Sequence, residues 1–275
     1  MQTKNRLSLF VFFALLLLAR ASIADDRSQL FQPGSGLSFG AGLDFSTGTY
    51  GTPDTTTVTS IPLYGQYQTK DWLFKLTIPF VDVAGNGNVL PGLGRVDNSN
   101  SRGRGRDPGD TTGSASGPGD IVGSATYNML YDANYKWGLD LTGTVKLGTA
   151  DPDKGLGTGE NDYGAQVDVY KNLDNNLTLY TGLGYTILGS SDFIHLNNVF
   201  NFVAGGSLKL DAERSVGLQY DAREKVTDDG SPLNELTAFY TQKLDPQWKL
   251  QAYVLKGFSD GSPDWGAGVT MQRAF

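Results

Sequence analysis

The chain has 275 residues, with 29 acidic against 22 basic side chains, one histidine and no cysteine. The acidic balance excludes a nucleic-acid surface, which rewards basic residues, and the missing cysteines exclude a disulfide-stapled exported fold. The 36 glycines, 13 tyrosines and 14 phenylalanines sit inside regular alternation, which points to many β-strands with tight bends rather than to a low-complexity chain.

The first 24 residues read as a cleaved signal peptide. Lys4 and Arg6 give a positive start, Leu7 to Leu18 form a mostly apolar run, and Ser22-Ile23-Ala24 offers small residues for cleavage. The run is short for a spanning helix, which needs about 20 residues; an uncleaved anchor is the other reading. Cleavage would leave 19 basic and 29 acidic residues, a net charge of −10. Residues 25–36 are then a periplasmic N-terminal segment, and 37–275 the body of the protein.

That body alternates with a period of two, the signature of strands with one apolar and one polar face. Leu37, Phe39, Ala41, Leu43 and Phe45 share a face. An ambiguous segment follows around Ile61 to Tyr67. Next come Trp72, Phe74, Leu76, Ile78 and Phe80, opposite Lys75 and Thr77, and then Ile121 to Met129 at odd positions. Trp137 to Leu147 alternates most cleanly, against Lys136, Asp140, Thr142, Thr144 and Lys146. Tyr163 to Val169, Leu177 to Ile187, Phe202 to Leu208, Val216 to Ala222, Leu236 to Tyr240, Trp248 to Val254 and Trp265 to Met271 complete 12 strands. Several exceed the five or six residues usual in soluble folds.

Short connections at 69–71, 132–134, 172–176, 211–213 and 245–247 alternate with longer ones at 46–57, 84–117, 149–161, 189–198, 226–232 and 258–263. Short periplasmic turns alternating with long extracellular loops, on an even number of strands, define a transmembrane antiparallel β-barrel. Trp72, Trp137 and Trp248 follow short turns and fall on the periplasmic girdle; Trp265 falls on the outer one. A soluble β-sandwich also alternates, but its strands are shorter. The polar face here carries Lys75, Lys136, Asp140, Lys146, Asp168, Lys209, Asp221, Arg223 and Lys249, which suits a lumen. A terminal Phe275 on the last strand resembles the signal read by outer-membrane assembly machinery, although Arg273 stands where an apolar residue is usual.

Three pieces carry a wider resemblance: Pro118-Gly119-Asp120-Ile121 opening a strand, Lys146 to Tyr163 (KLGTADPDKGLGTGENDY), and Phe275. Together they resemble the outer-membrane barrel proteins named for the meta-cleavage pathway of phenol degradation, proposed transporters often encoded beside aromatic-degradation genes. The resemblance implies a barrel and passage of hydrophobic or aromatic compounds, and it supplies no catalytic residues.

Twelve strands lie between the eight whose interior side chains fill and the 16 to 18 that leave an aqueous pore. The expected function is therefore passive passage of small hydrophobic or aromatic compounds, with Lys75, Lys136, Asp140, Lys146, Asp168, Asp221 and Arg223 as lumen-lining candidates. Their mixed signs would equally make a plug, so a closed structural or adhesive barrel is the alternative. Three further motifs bear chemistry. Asp151, Asp153, Glu160 and Asp162 in a glycine-rich loop read either as a solvated loop or as hard oxygen ligands for calcium, the one cofactor suggested. Arg102, Arg104 and Arg106 in the longest loop read as a mobile polar segment, or as contacts to lipopolysaccharide phosphate or an anion funnel. His195 near Ser190, Ser191 and Asp192 raises a barrel hydrolase, but no nucleophile motif accompanies it. The expected partners are outer-membrane lipid and lipopolysaccharide, the assembly machinery through Phe275, and a small-molecule substrate; nucleic acid is not among them.

Overall fold

A computed structural model describes residues 36–96, 112–173 and 176–275. The expected signal peptide, all but the last residue of the 25–36 segment, and Arg102, Arg104 and Arg106 lie outside the described residues.

The chain is all β. In order the strands are β1 (Gly36–Gly48), β2 (Thr56–Gln68), β3 (Trp72–Asn86), β4 (Val89–Leu90), β5 (Gly94–Arg95), β6 (Thr112–Pro118), β7 (Ile121–Asp132), β8 (Trp137–Leu147), β9 (Asp162–Asn172), β10 (Leu177–Ile187), β11 (Val199–Lys209), β12 (Arg214–Arg223), β13 (Leu233–Lys243), β14 (Trp248–Gly257) and β15 (Trp265–Ala274). Each wall strand pairs antiparallel with its neighbours, and β1 pairs with both β2 and β15, which closes the sheet on itself. β6 and β7 both pair with β3 and form one wall strand broken at Gly119–Asp120. Counted so, twelve strands make the wall. β4 and β5 form a separate small hairpin in the loop after β3.

Closure explains the alternation. Leu43, Leu76, Leu183 and Val254 point outward and are 40 to 57 % exposed, while Asp44, Asp140 and Gln219 point inward and are fully buried. Such a face is tolerated where lipid covers it.

The short turns share one device. The Oδ1 atoms of Asp132, Asp211 and Asp245 each accept backbone N–H groups two and three residues on, at 2.7 to 3.0 Å, the Asx turn that a tight reversal favours. At Asp211 the Arg214 side chain also donates, holding that carboxyl below its ordinary range. The chain closes against its own start: the Phe275 N–H donates to Leu37 O at 2.9 Å and its ring meets Phe39 edge-on. Arg273, the departure from an apolar pattern, lies over the Trp248 and Phe275 rings, so aromatic faces cover its guanidinium.

Two expectations need correction. Residues 112–118 belong to the wall as β6, not to a loop spanning 84–117; their small residues hid the strand. Met129 lies at a register shift between Asn128 and Leu130, so the alternation of β7 breaks there.

Candidate functional site

The lumen is built on a repeated local pair. Tyr64, Tyr170, Tyr180, Phe239 and Tyr253 point inward, and each lies directly opposite a glycine of the adjacent strand: Gly40, Gly138, Gly205, Gly217 and Gly268. A Cβ at any of these glycines would come within 2.2 to 2.4 Å of the partner ring. The missing side chain lets each ring lie against the wall, an arrangement known to rescue glycine in sheets. Tyr170, Tyr180, Phe239 and Tyr253 then pack with Val203 and Leu255 into one buried cluster. Sequence reading counted these glycines but missed their role, because a cross-strand partner is invisible until register is known.

Polar side chains tie this cluster together. Tyr180 Oη donates to Gln219 Oε1 at 2.9 Å, and Gln219 Nε2 donates to Asp221 at 2.7 Å. Asn128 Nδ2 donates to Asp140 at 2.8 Å and to Tyr170 Oη at 3.2 Å. Gln166 donates to Asp168 at 2.8 Å, and Tyr253 Oη to Asp44 at 3.0 Å. Asp140 lies directly opposite Asp168, and Asp221 opposite Glu235. Of the predicted lumen residues, Asp140, Asp168 and Asp221 are buried on this inner face, and the Lys75 ammonium lies 4.6 Å from the Tyr64 ring centroid.

The other three lie towards the two ends of the barrel. Lys136 is exposed in the β7–β8 turn at φ 52°, outside the lumen; the alternating strand starts one residue after it. Lys146 sits at the extracellular mouth, 2.8 Å from Asp162 and 3.2 Å from Asp120. Arg223 donates to Gly92 O and Leu93 O at 2.7 and 2.8 Å.

These last two fasten a lid. Arg223 holds the β4–β5 hairpin, whose Leu90, Leu93 and Val96 pack with Leu188, Ile194, Val199 and Val226. On the other side, Ala150 and Leu156 pack on Val58, Val81 and Val83. Asp120 Oδ1 accepts the Ala150 N–H and Asp162 Oδ1 the Gly189 N–H, each at 2.9 Å, so the Lys146 cluster spans two loops. Tyr50, buried in the loop after β1, has its phenol pushed upward by that burial.

Two ladders of the wall lapse beside the panel of β2 and β3. Pairing of β1 with β2 runs to Ala41↔Leu63, skips Gly42 and Leu43, and resumes at Asp44↔Ser60. Pairing of β3 runs with β7 to Thr77↔Val122, skips Ile78 and Pro79, and resumes with β6 at Phe80↔Pro118. Between the two gaps Pro62 faces Pro79. Proline donates no hydrogen bond and is rare inside a sheet, so three prolines (62, 79 and 118) meet where two ladders lapse. One bond bridges the second gap, from Gly119 N–H to Pro79 O at 2.9 Å. The extra residue at Gly119–Asp120 is a β-bulge, a feature that locally disrupts pairing.

The remaining candidates do not assemble. Asp151 bonds its own loop and Lys154, while Asp162 serves Lys146. Among the described residues no three His, Cys, Asp or Glu side chains converge as metal ligands, so Asp151, Asp153, Glu160 and Asp162 are not gathered on one ion. His195 is exposed, and the Ser190 and Ser191 hydroxyls cap turns of their own loop.

Residues 54–274 match the family described as "Putative MetA-pathway of phenol degradation". The chain belongs to this family. Among solved structures it is similar to the COG4313 outer membrane channel from Pseudomonas putida F1 (16 % identity, 89 % of this chain and 97 % of that one, TM-score 0.66). It is also similar to the KdgM porin (10 %, 86 % and 99 %, TM-score 0.53). The translocator domain of the autotransporter NalP from Neisseria meningitidis shares the fold as well (12 %, 95 % and 96 %, TM-score 0.53). No curated protein matches it in sequence. At these identities the likenesses establish the fold, a closed twelve-stranded outer-membrane β-barrel.

Proposed function

We propose that this barrel carries small hydrophobic compounds, aromatic ones among them, across the outer membrane, and that they leave the lumen sideways through the panel of β2 and β3. The observation that carries this reading is the pair of lapsed ladders around Pro62, Pro79 and Pro118. A lipid-facing wall must satisfy its backbone internally, so the place where pairing stops is where the wall parts at least cost. Ile61, Leu63, Ile78 and Phe80 face lipid there and give an apolar path outward. Along the axis, by contrast, the buried aromatic cluster and the fastened lid oppose a wide aqueous pore. The Pseudomonas barrel of the same fold is a channel, which supports transport here.

The test compares two solutes in liposomes holding the refolded barrel. Toluene-sized aromatics should equilibrate faster than in empty liposomes, while swelling with sugars should stay near background. Fast swelling with sugars and no gain for toluene would overturn the proposal in favour of an ordinary porin.

A further inference from the structure

The structure assigns a polar docking point to the lumen side of this panel, and with it a substrate feature; the inference rests on the lateral path proposed above. We infer that Asp44 and Ser60 receive the hydrogen-bond-donating end, a hydroxyl or an ammonium, of an otherwise apolar molecule. The two residues are direct cross-strand partners and form the first pair beyond the gap in the β1–β2 ladder. Asp44 is fully buried and Ser60 is 1 % exposed. Asp44 Oδ1 accepts the Tyr253 hydroxyl at 3.0 Å, an approach that requires Gly268, whose Cβ would fall 2.3 Å from that oxygen. Asp44 Oδ2 and Ser60 Oγ have no hydrogen-bond partner among the described residues.

Buried polar atoms are nearly always satisfied, and exceptions ask for an explanation. A buried carboxyl oxygen is costly to leave so. Here the two open atoms belong to directly opposed residues and are of complementary type: a carboxylate oxygen accepts, while a serine hydroxyl both donates and accepts. A hydroxyl guest would donate to Asp44 and accept from Ser60. An ammonium guest would donate to both. A carboxylate guest would meet Asp44 as a like charge, and a plain hydrocarbon would leave both atoms unmet. Because the gap begins one residue away, a molecule held by its polar end there has its apolar body beside the opening. The lip would thus favour amphiphiles with a donor end over hydrocarbons of the same size.

The experiment uses the whole barrel in nanodiscs and four probes with one aromatic body: toluene, benzyl alcohol, benzylamine and benzoate. Binding is read by equilibrium dialysis against empty nanodiscs, with heat-modifiable gel migration confirming the fold of each variant. Asp44→Ala should weaken whichever donor probe is held by about tenfold, as loss of a charged hydrogen bond implies, and leave toluene unchanged. Asp44→Asn keeps an acceptor without charge, so it should spare benzyl alcohol and weaken benzylamine. Retention of one donor probe alone names the source. Benzoate held as tightly as benzyl alcohol, or all four probes indifferent to Asp44→Ala and Ser60→Ala, would overturn the site. Equilibrium binding needs no passage through the wall. A bifunctional thiol reagent joining Leu43→Cys to Ile61→Cys tests the path separately: passage that survives it sinks the lateral route and leaves the binding result standing.

Discussion

Replacing Gly138 by alanine should destabilise the barrel by about 2 to 4 kcal/mol. The added Cβ would lie 2.3 Å from Tyr170 Cζ and 2.4 Å from its Oη, whereas carbon atoms rest about 3.5 to 4.0 Å apart. The ring must therefore move by more than about 1 Å, and Tyr170 is 1 % exposed in a packed cluster. Overpacking of this kind costs about 1 to 3 kcal/mol, and losing the Asn128–Tyr170 bond at 3.2 Å adds about 1 kcal/mol. The control lies on the same strand: a Cβ at Gly143 meets nothing within 4 Å, so Gly143→Ala should change stability by less than about 0.5 kcal/mol. Reversible urea unfolding of the barrel in lipid vesicles measures both. In a Tyr170→Ala background the cost of Gly138→Ala should largely vanish. Equal stability of the Gly138→Ala and Gly143→Ala barrels would refute the glycine–ring account of the lumen.

The lid makes three further predictions. Lys146→Gln removes the partner of Asp120 and Asp162; with the lysine side chain 18 % exposed, a cost of about 1 kcal/mol is expected, and trypsin should cleave after Lys154 about fivefold faster. Arg223→Gln removes both donors to Gly92 and Leu93, so a Leu93→Cys thiol, buried at 7 % exposure, should react with maleimide at least about tenfold faster than with Arg223 present. Burial raises the Tyr50 phenol above its ordinary value, so its contribution is full below about pH 10 and is lost as pH rises beyond that, where the opened state ionises first. Thermal unfolding between about pH 9 and about pH 11 should therefore weaken the native barrel more than Tyr50→Phe.

Much of the wall was legible because lipid and lumen impose a two-residue period on every strand. Leu139 and Leu141 outward with Asp140 inward needed no coordinates. Lys136 shows where that reasoning ends: it obeys the alternation, yet the backbone turns left-handed at that residue and carries it out of the sheet. Strand β6 was missed because Thr112 to Pro118 are small and polar, with no apolar stripe to reveal them. The functional features were hidden for another reason. Pro62, Pro79 and Pro118 are 39 residues apart at most between neighbours in sequence and meaningful only once Pro62 faces Pro79. The same holds for Asp44 and Ser60, and for each ring and its glycine. Register is a property of pairs of strands, and a period within one strand does not encode it.

The most direct measurement is aromatic uptake by cells whose barrel carries Leu43→Cys and Ile61→Cys, joined across the first gap by a bifunctional, reducible thiol reagent. The two positions continue the register that brackets the gap, and opposed residues in antiparallel strands lie about 4.5 to 5.5 Å apart. With the cross-link verified by mass, uptake of toluene should fall to that of cells lacking the barrel and return on reduction. Full uptake through the cross-linked wall would contradict the lateral path.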